Sequence, residues 1–151
     1  MQQQGSFHLK LAGAIDFGKA LTTVANTIAF IESWAEDLQD NGKDEIYVDV
    51  DCYIDLNDYL DLDDAIFTRI CQQVAAEQPN MVLTGSAEWS SASIGQAIFH
   101  RAVYQDGLLT VECLSNFGAD EPPEGAWNDD LGEYSRETYR LKNGVFQYFR
   151  E

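Results

Sequence analysis

Aspartate recurs through the middle of the chain: Asp49, Asp51 and Asp55, then Asp58, Asp61, Asp63 and Asp64, with Tyr47, Tyr53 and Tyr59 set among them. Closely spaced carboxylates suit two kinds of chemistry, holding a divalent cation or presenting a row of negative charge. The first is poorly supported. Asp55-Leu56-Asn57-Asp58-Tyr59-Leu60 begins like a calcium loop, yet Tyr59 fills its fifth position and Leu60 stands where the turn glycine belongs. A nuclease-type magnesium site needs acids converging from several elements and a supporting base, and Lys43 is the only base in residues 35–65. No metal site is expected.

The second chemistry fits better. Same-face residues of a strand lie roughly 6.6 Å apart, so Asp49, Asp51 and, two steps on, Asp55 make an evenly spaced row. Asp58, Asp61, Asp63 and Asp64 continue it through a loop into a helix start. Carboxylates at that spacing imitate a phosphate backbone to a protein that binds nucleic acid. The interleaved tyrosines are of the type favoured as interface anchors.

Other chemistries find little support. His8 and His100 are the only histidines, each within a strand pattern and without a Cys, Ser or carboxylate at a recognisable spacing. Gly85-Ser86-Ala87 lacks the second glycine of a nucleophile elbow, and Ser90, Ser91 and Ser93 read as a turn. No Cys or His pair has zinc spacing, and no glycine-rich loop could cradle a phosphate. Neither a catalytic residue nor a cofactor is expected. Trp127, in the acidic stretch Glu124-Gly125-Ala126-Trp127-Asn128-Asp129-Asp130, is either an exposed interface anchor or a lid folded back over one end of the core. Trp34 and Trp89 read as core or core-edge residues.

The elements that must position these residues follow from periodicity. Phe7, Leu9 and Leu11 alternate with Ser6, His8 and Lys10, a half-buried strand over 5–13. Asp16 caps a helix expected to reach about Leu38, with Phe17, Leu21, Val24, Ile28, Ile31, Ala35 and Leu38 on one face and Asn41-Gly42 stopping it. Residues 45–55 alternate again, with Ile46, Val48, Val50, Cys52 and Ile54 opposite the aspartates. A second helix runs from about Leu62 to Gln78, its apolar side Ile66, Phe67, Ile70, Cys71 and Val74; Asp61, Asp63 and Asp64 suit the positive end of its dipole. Five strands follow. Met81 to Trp89 is weakened or bulged at Gly85, Gln96–Tyr104 and Leu108–Ser115 form a hairpin, and Glu137–Leu141 and Val145–Phe149 form another through Asn143-Gly144. The segment 116–133, with Pro122, Pro123 and six acidic residues, is a long functional or disordered loop. The fold class is α+β: β-α-β-α followed by antiparallel strands, with two helices packed on one face of a mostly antiparallel sheet.

A chain of 151 residues, 45% hydrophobic and 12% aromatic, has material for one packed domain spanning 1–151. No apolar run approaches the ~20 residues of a membrane span, and residues 1–5 lack the pattern of a signal peptide. Cys52, Cys71 and Cys113, odd in number and among apolar neighbours, read as reduced core thiols of a cytoplasmic protein. Nine basic against 26 acidic residues leave −17, which repels nucleic acid and anionic membranes and attracts a basic protein. The charge is local. Residues 1–34 are neutral, whereas residues 35–65 hold twelve acids and one base. Salt adaptation, solvation of a face or protection of a strand edge would each account for some acidity, but general acidity would have spread into residues 1–34. The expected function is a non-enzymatic protein that binds and blocks a basic, nucleic-acid-handling partner such as a nuclease. Phage inhibitors of host defence and immunity proteins are of this functional type, by charge and size alone. The alternatives are a structural or assembly subunit, and a small-ligand protein with its pocket between sheet and helices.

Overall fold

The computed structural model describes residues 2–28, 33–40, 45–55, 59–91, 96–115 and 125–149. Along the chain run β1 (Gln2–Ala14), α1 (Phe17–Ile28), β2 (Ser33–Asp40), β3 (Glu45–Asp55), α2 (Tyr59–Glu77), β4 (Val82–Ser91), β5 (Gln96–Gln105), β6 (Leu108–Ser115), β7 (Glu133–Lys142) and β8 (Val145–Phe149). The strands form one antiparallel sheet in the order β2-β3-β1-β4-β5-β6-β7-β8. Both helices pack on one face of it, so the fold is α+β as the periodicities predict.

Alternation decides which residues meet the helices. Phe7, Leu9 and Leu11 of β1 are completely or almost completely buried, and Ile46 and Val48 of β3 join them from the next strand. Across the layer α2 contributes Ile66, Phe67, Ile70, Cys71, Val74 and Ala75, all buried. Burying its four large aliphatic and aromatic side chains contributes on the order of 10 kcal/mol before entropy is counted. The α1 contribution is smaller, Ala20 and Val24 fully and Phe17 and Leu21 in part. Asp16 caps α1 as predicted: its Oδ1 accepts the Lys19 N–H at 3.0 Å. Gln78, just past α2, clasps the same residue. Its Oε1 accepts the Asp16 N–H at 2.7 Å and its Nε2 donates to the Asp16 carbonyl at 3.1 Å.

One element departs from expectation. The first helix stops at Ile28, and Ser33–Asp40 is a strand instead of a helix continuing to Leu38. The helical spacing of Ala35 and Leu38 loses to two stronger effects. A helix ending near Leu38 would gather Glu32, Glu36 and Asp37 at its negative C-terminal end. As a strand, the same segment completes backbone hydrogen bonds along β3, with pairs from Ser33↔Cys52 to Asp40↔Ile46. The order is therefore β-α-β-β-α and then five strands. Asn41-Gly42 lies outside the described residues, between two strands that pair as a hairpin.

The remaining strands follow their signals. Asp106-Gly107 and Asn143-Gly144 both have positive φ (54° and 81°, 55° and 80°), the backbone of a two-residue type I′ turn. Gly85 makes no bulge, since the register of β4 runs unbroken through it on both sides. Its reason is space: a Cβ there would lie 3.0 Å from Leu11 Cδ2 and 3.5 Å from the Phe67 ring. The β7 strand begins at Glu133, before the expected Glu137, because it pairs with β6 along that strand's whole length.

Candidate functional site

The helices cover one face of the sheet, and His8, Lys10 and Asp49 are exposed on the other, open face. The β1–β3 register is unbroken from Gln2↔Asp55 to Ala12↔Glu45, so positions 47, 49, 51, 53 and 55 alternate onto this single face. Asp49, Asp51 and Asp55 thus lie on regularly paired backbone, and the side chains of Asp51 and Asp55 lie outside the described ones. The structure also sets a second strand beside them. On β2, Asp37 stands directly opposite Asp49, and Ala35 opposite Asp51. Directly opposed residues lie about 4.5–5.5 Å apart. The register thus brings one β2 acid, Asp37, alongside Asp49 at the end of the sheet.

Few cations temper these acids. His8 Nδ1 contacts Asp49 Oδ1 across the β1–β3 pairing, with both side chains at least half exposed. Lys10 Nζ lies 3.0 Å from Glu45 Oε2 and 5.8 Å from the Tyr47 ring centroid. The hydrogen bond and charge of Glu45 hold the Lys10 ammonium above its ordinary value. Tyr47 itself is 38% exposed. The His8–Asp49 neighbourhood spans 41 residues of sequence and leaves no spacing signal.

The rest of the predicted series is distributed differently. Asp61, Asp63 and Asp64 belong to α2, whose layer covers the opposite face of the sheet, so they do not extend the row on β3. Asp58 lies outside the described residues, as do the side chains of Trp34 and Trp89. Trp127 is corrected as an interface anchor: it is 7% exposed and packs with Phe99 and Leu114, flanked by Leu131 and Tyr134. An indole with these four neighbours gains more from burial than from water. It covers the open face over β5–β7, not an end of the main core.

Beneath Trp127 lies a constellation that sequence reasoning missed. The Arg101 guanidinium stacks on the indole at 4.0 Å and grips Glu112 in two-point fashion, Nε to Oε1 at 2.8 Å and Nη2 to Oε2 at 3.2 Å. The Tyr134 hydroxyl donates to the same carboxylate at 2.8 Å. Burial pushes the Glu112 carboxyl up, but the Arg101 and Tyr134 hydrogen bonds and the Arg101 and Arg136 charges outweigh it and hold it below the usual carboxylate range. A signal existed. Arg101 and Glu112 are equidistant from the Asp106-Gly107 turn, which makes them opposite neighbours. An open depression of about 450 Å³ adjoins them, lined by Thr84, Val103, Thr110 and Gly125 among others. Every polar atom named in this constellation serves another within it, so it ties the 125–132 segment to the sheet and offers no acid, base or nucleophile.

His100 and Cys71 are placed for packing. His100 is 2% exposed, its ring 5.3 Å from that of Phe67. Cys71 is fully buried, and desolvation pushes its thiol up to about 12. Among the described residues no three His, Cys, Asp or Glu side chains converge as metal ligands would, and no helix is long and apolar enough to cross a membrane.

These features define a class: an α+β protein with two helices on one face of an antiparallel sheet. Comparison with protein-family models, curated proteins and solved structures finds no match.

Proposed function

We propose that the chain is a non-enzymatic acidic binding protein that neutralises a basic, nucleic-acid-handling partner through the open face of β2 and β3. The observation that carries this is the register that sets Asp37 against Asp49. Like charges directly opposite on neighbouring strands are destabilising, by a few tenths to about 1 kcal/mol. An exposed face built this way gains when a cationic surface docks on it. The patch would occupy the cleft that a nuclease or nucleic-acid-binding protein offers to phosphates, and its field would speed encounter. Tyr47, exposed beside Lys10, supplies an aromatic contact at the rim. Trp127 takes no part, being spent within the fold.

The test is competition. A basic protein captured from lysate at low salt is purified and loaded with labelled duplex DNA, and this chain is titrated in. The wild type is expected to displace the DNA, less effectively as salt rises. Asp37→Asn/Asp49→Asn/Asp51→Asn should weaken displacement at least tenfold, about 1.4 kcal/mol. Displacement that ignores both salt and the triple substitution would overturn the reading.

A further inference from the structure

We propose that copies of this chain join edge to edge, β8 of one against β2 of the next. In the described sheet β8 is the end strand on the side away from β2. Its sequence, Val145-Phe146-Gln147-Tyr148-Phe149, has neither charge nor proline, and its register with β7 has no bulge. Val145 and Tyr148 are 62% and 61% exposed. Strand edges left in water are normally blunted by charge, proline or a bulge, and β8 has none of these. The two-residue Asn143-Gly144 turn makes Lys142↔Val145 the hydrogen-bonded pair of the hairpin. Alternation then directs the backbone N–H and C=O groups of Phe146 and Tyr148 outward, ready for another strand.

Charge selects which strand. On the open face β7 carries Arg136, Arg140 and Lys142, and the Arg140 guanidinium lies over the Phe149 ring at 4.9 Å, which takes its charge out across the edge strand. At the other end of the sheet the β2–β3 register puts Asp37, with Asp49 beside it, on that same face, and β2 carries no base. Joining β8 to β8 sets cations against cations, and joining β2 to β2 sets acids against acids. Only β8 to β2 joins unlike charges. The net −17 does not forbid it. Eight strands at about 4.8 Å make the sheet roughly 34 Å wide, several times the ~8 Å screening length at physiological salt. Groups at the joint therefore outweigh the distant acidic ends. Because the two joining edges differ, the contact is head-to-tail and repeats into a ring or filament. Asp37 belongs both to this joint and to the open-face function proposed above, and the mass in solution reads the joint alone.

Sedimentation velocity over a concentration series at physiological salt tests this. The weight-average mass is expected to rise past that of a dimer. Tyr148→Pro, which removes an outward N–H without touching the β7 ladder, should weaken association at least tenfold. Arg140→Glu/Lys142→Glu and Asp37→Lys/Gln39→Lys, both pairs on the open face by register, should each abolish it alone and restore it when mixed in equal amounts. Circular dichroism verifies the folding of each variant, and the charge pairs carry the test if the proline variant does not fold. A wild type that stays monomeric at the highest concentration would overturn the proposal. So would a dimer that ends there and survives Asp37→Lys/Gln39→Lys.

Discussion

Arg101 shows how much one residue can organise. Its guanidinium faces an indole on one side and a carboxylate at its edge, and through them it fixes the 125–132 segment to the sheet. Glu112 is held below the usual carboxylate range, so its contribution to stability is present above that range and is lost as pH falls through it. Arg101→Gln removes the main opposition to burial, and the Glu112 carboxyl then moves up. The variant should be about 1–2 kcal/mol less stable at neutral pH, with partial exposure of the pair keeping the cost moderate. Its deficit should shrink in acid, where Glu112 is protonated in both proteins. Urea unfolding at neutral pH and below the carboxylate range measures this, and a deficit independent of pH would refute the assignment.

At the scale of elements, α1 depends on a residue outside it. Gln78 closes two hydrogen bonds on the backbone of Asp16, the capping residue, and is itself 7% exposed. Gln78→Ala leaves a partly buried N–H and C=O without these partners, so a loss of about 1–3 kcal/mol is expected. Hydrogen exchange should accelerate most in α1, because its entry is fixed by that clasp. Uniform acceleration across the sheet would assign Gln78 a different role. The strands and α2 were legible from alternation and helical spacing, since both patterns report a face buried against a neighbour. The β2 segment was not. Ala35 and Leu38 continue the helical stripe of α1, and the deciding partner, β3, lies further along the chain.

Charge sets the behaviour of the whole molecule. With −17 overall and acids opposed across β2 and β3, added salt should raise the melting temperature by screening repulsion. Asp37→Asn/Asp49→Asn/Asp51→Asn should be more stable than the wild type at low salt by about 0.5–1 kcal/mol. Thermal melts across a salt series should show the two proteins converging as salt rises. Such a variant, more stable yet weaker in displacing DNA, would mark the patch as a surface kept at a cost to the fold. A variant less stable than the wild type at low salt would contradict the opposed-charge reading of β2 and β3.

The amino-acid sequence determined what depends on neighbours along the chain: alternating strands, the α2 stripe, the Asp16 cap, the two type I′ turns and the concentration of acids in residues 35–65. Only the tertiary structure decided what depends on pairing across the sheet. Tertiary packing placed Asp37 beside Asp49, put Asp61, Asp63 and Asp64 in the helix layer, brought Trp127 down onto Arg101, and set Arg140 and Lys142 of β7 far across the sheet from Asp37. Periodicity tells which side of a strand faces the core. It does not tell which strand lies alongside, and the charge pattern of this molecule rests on that.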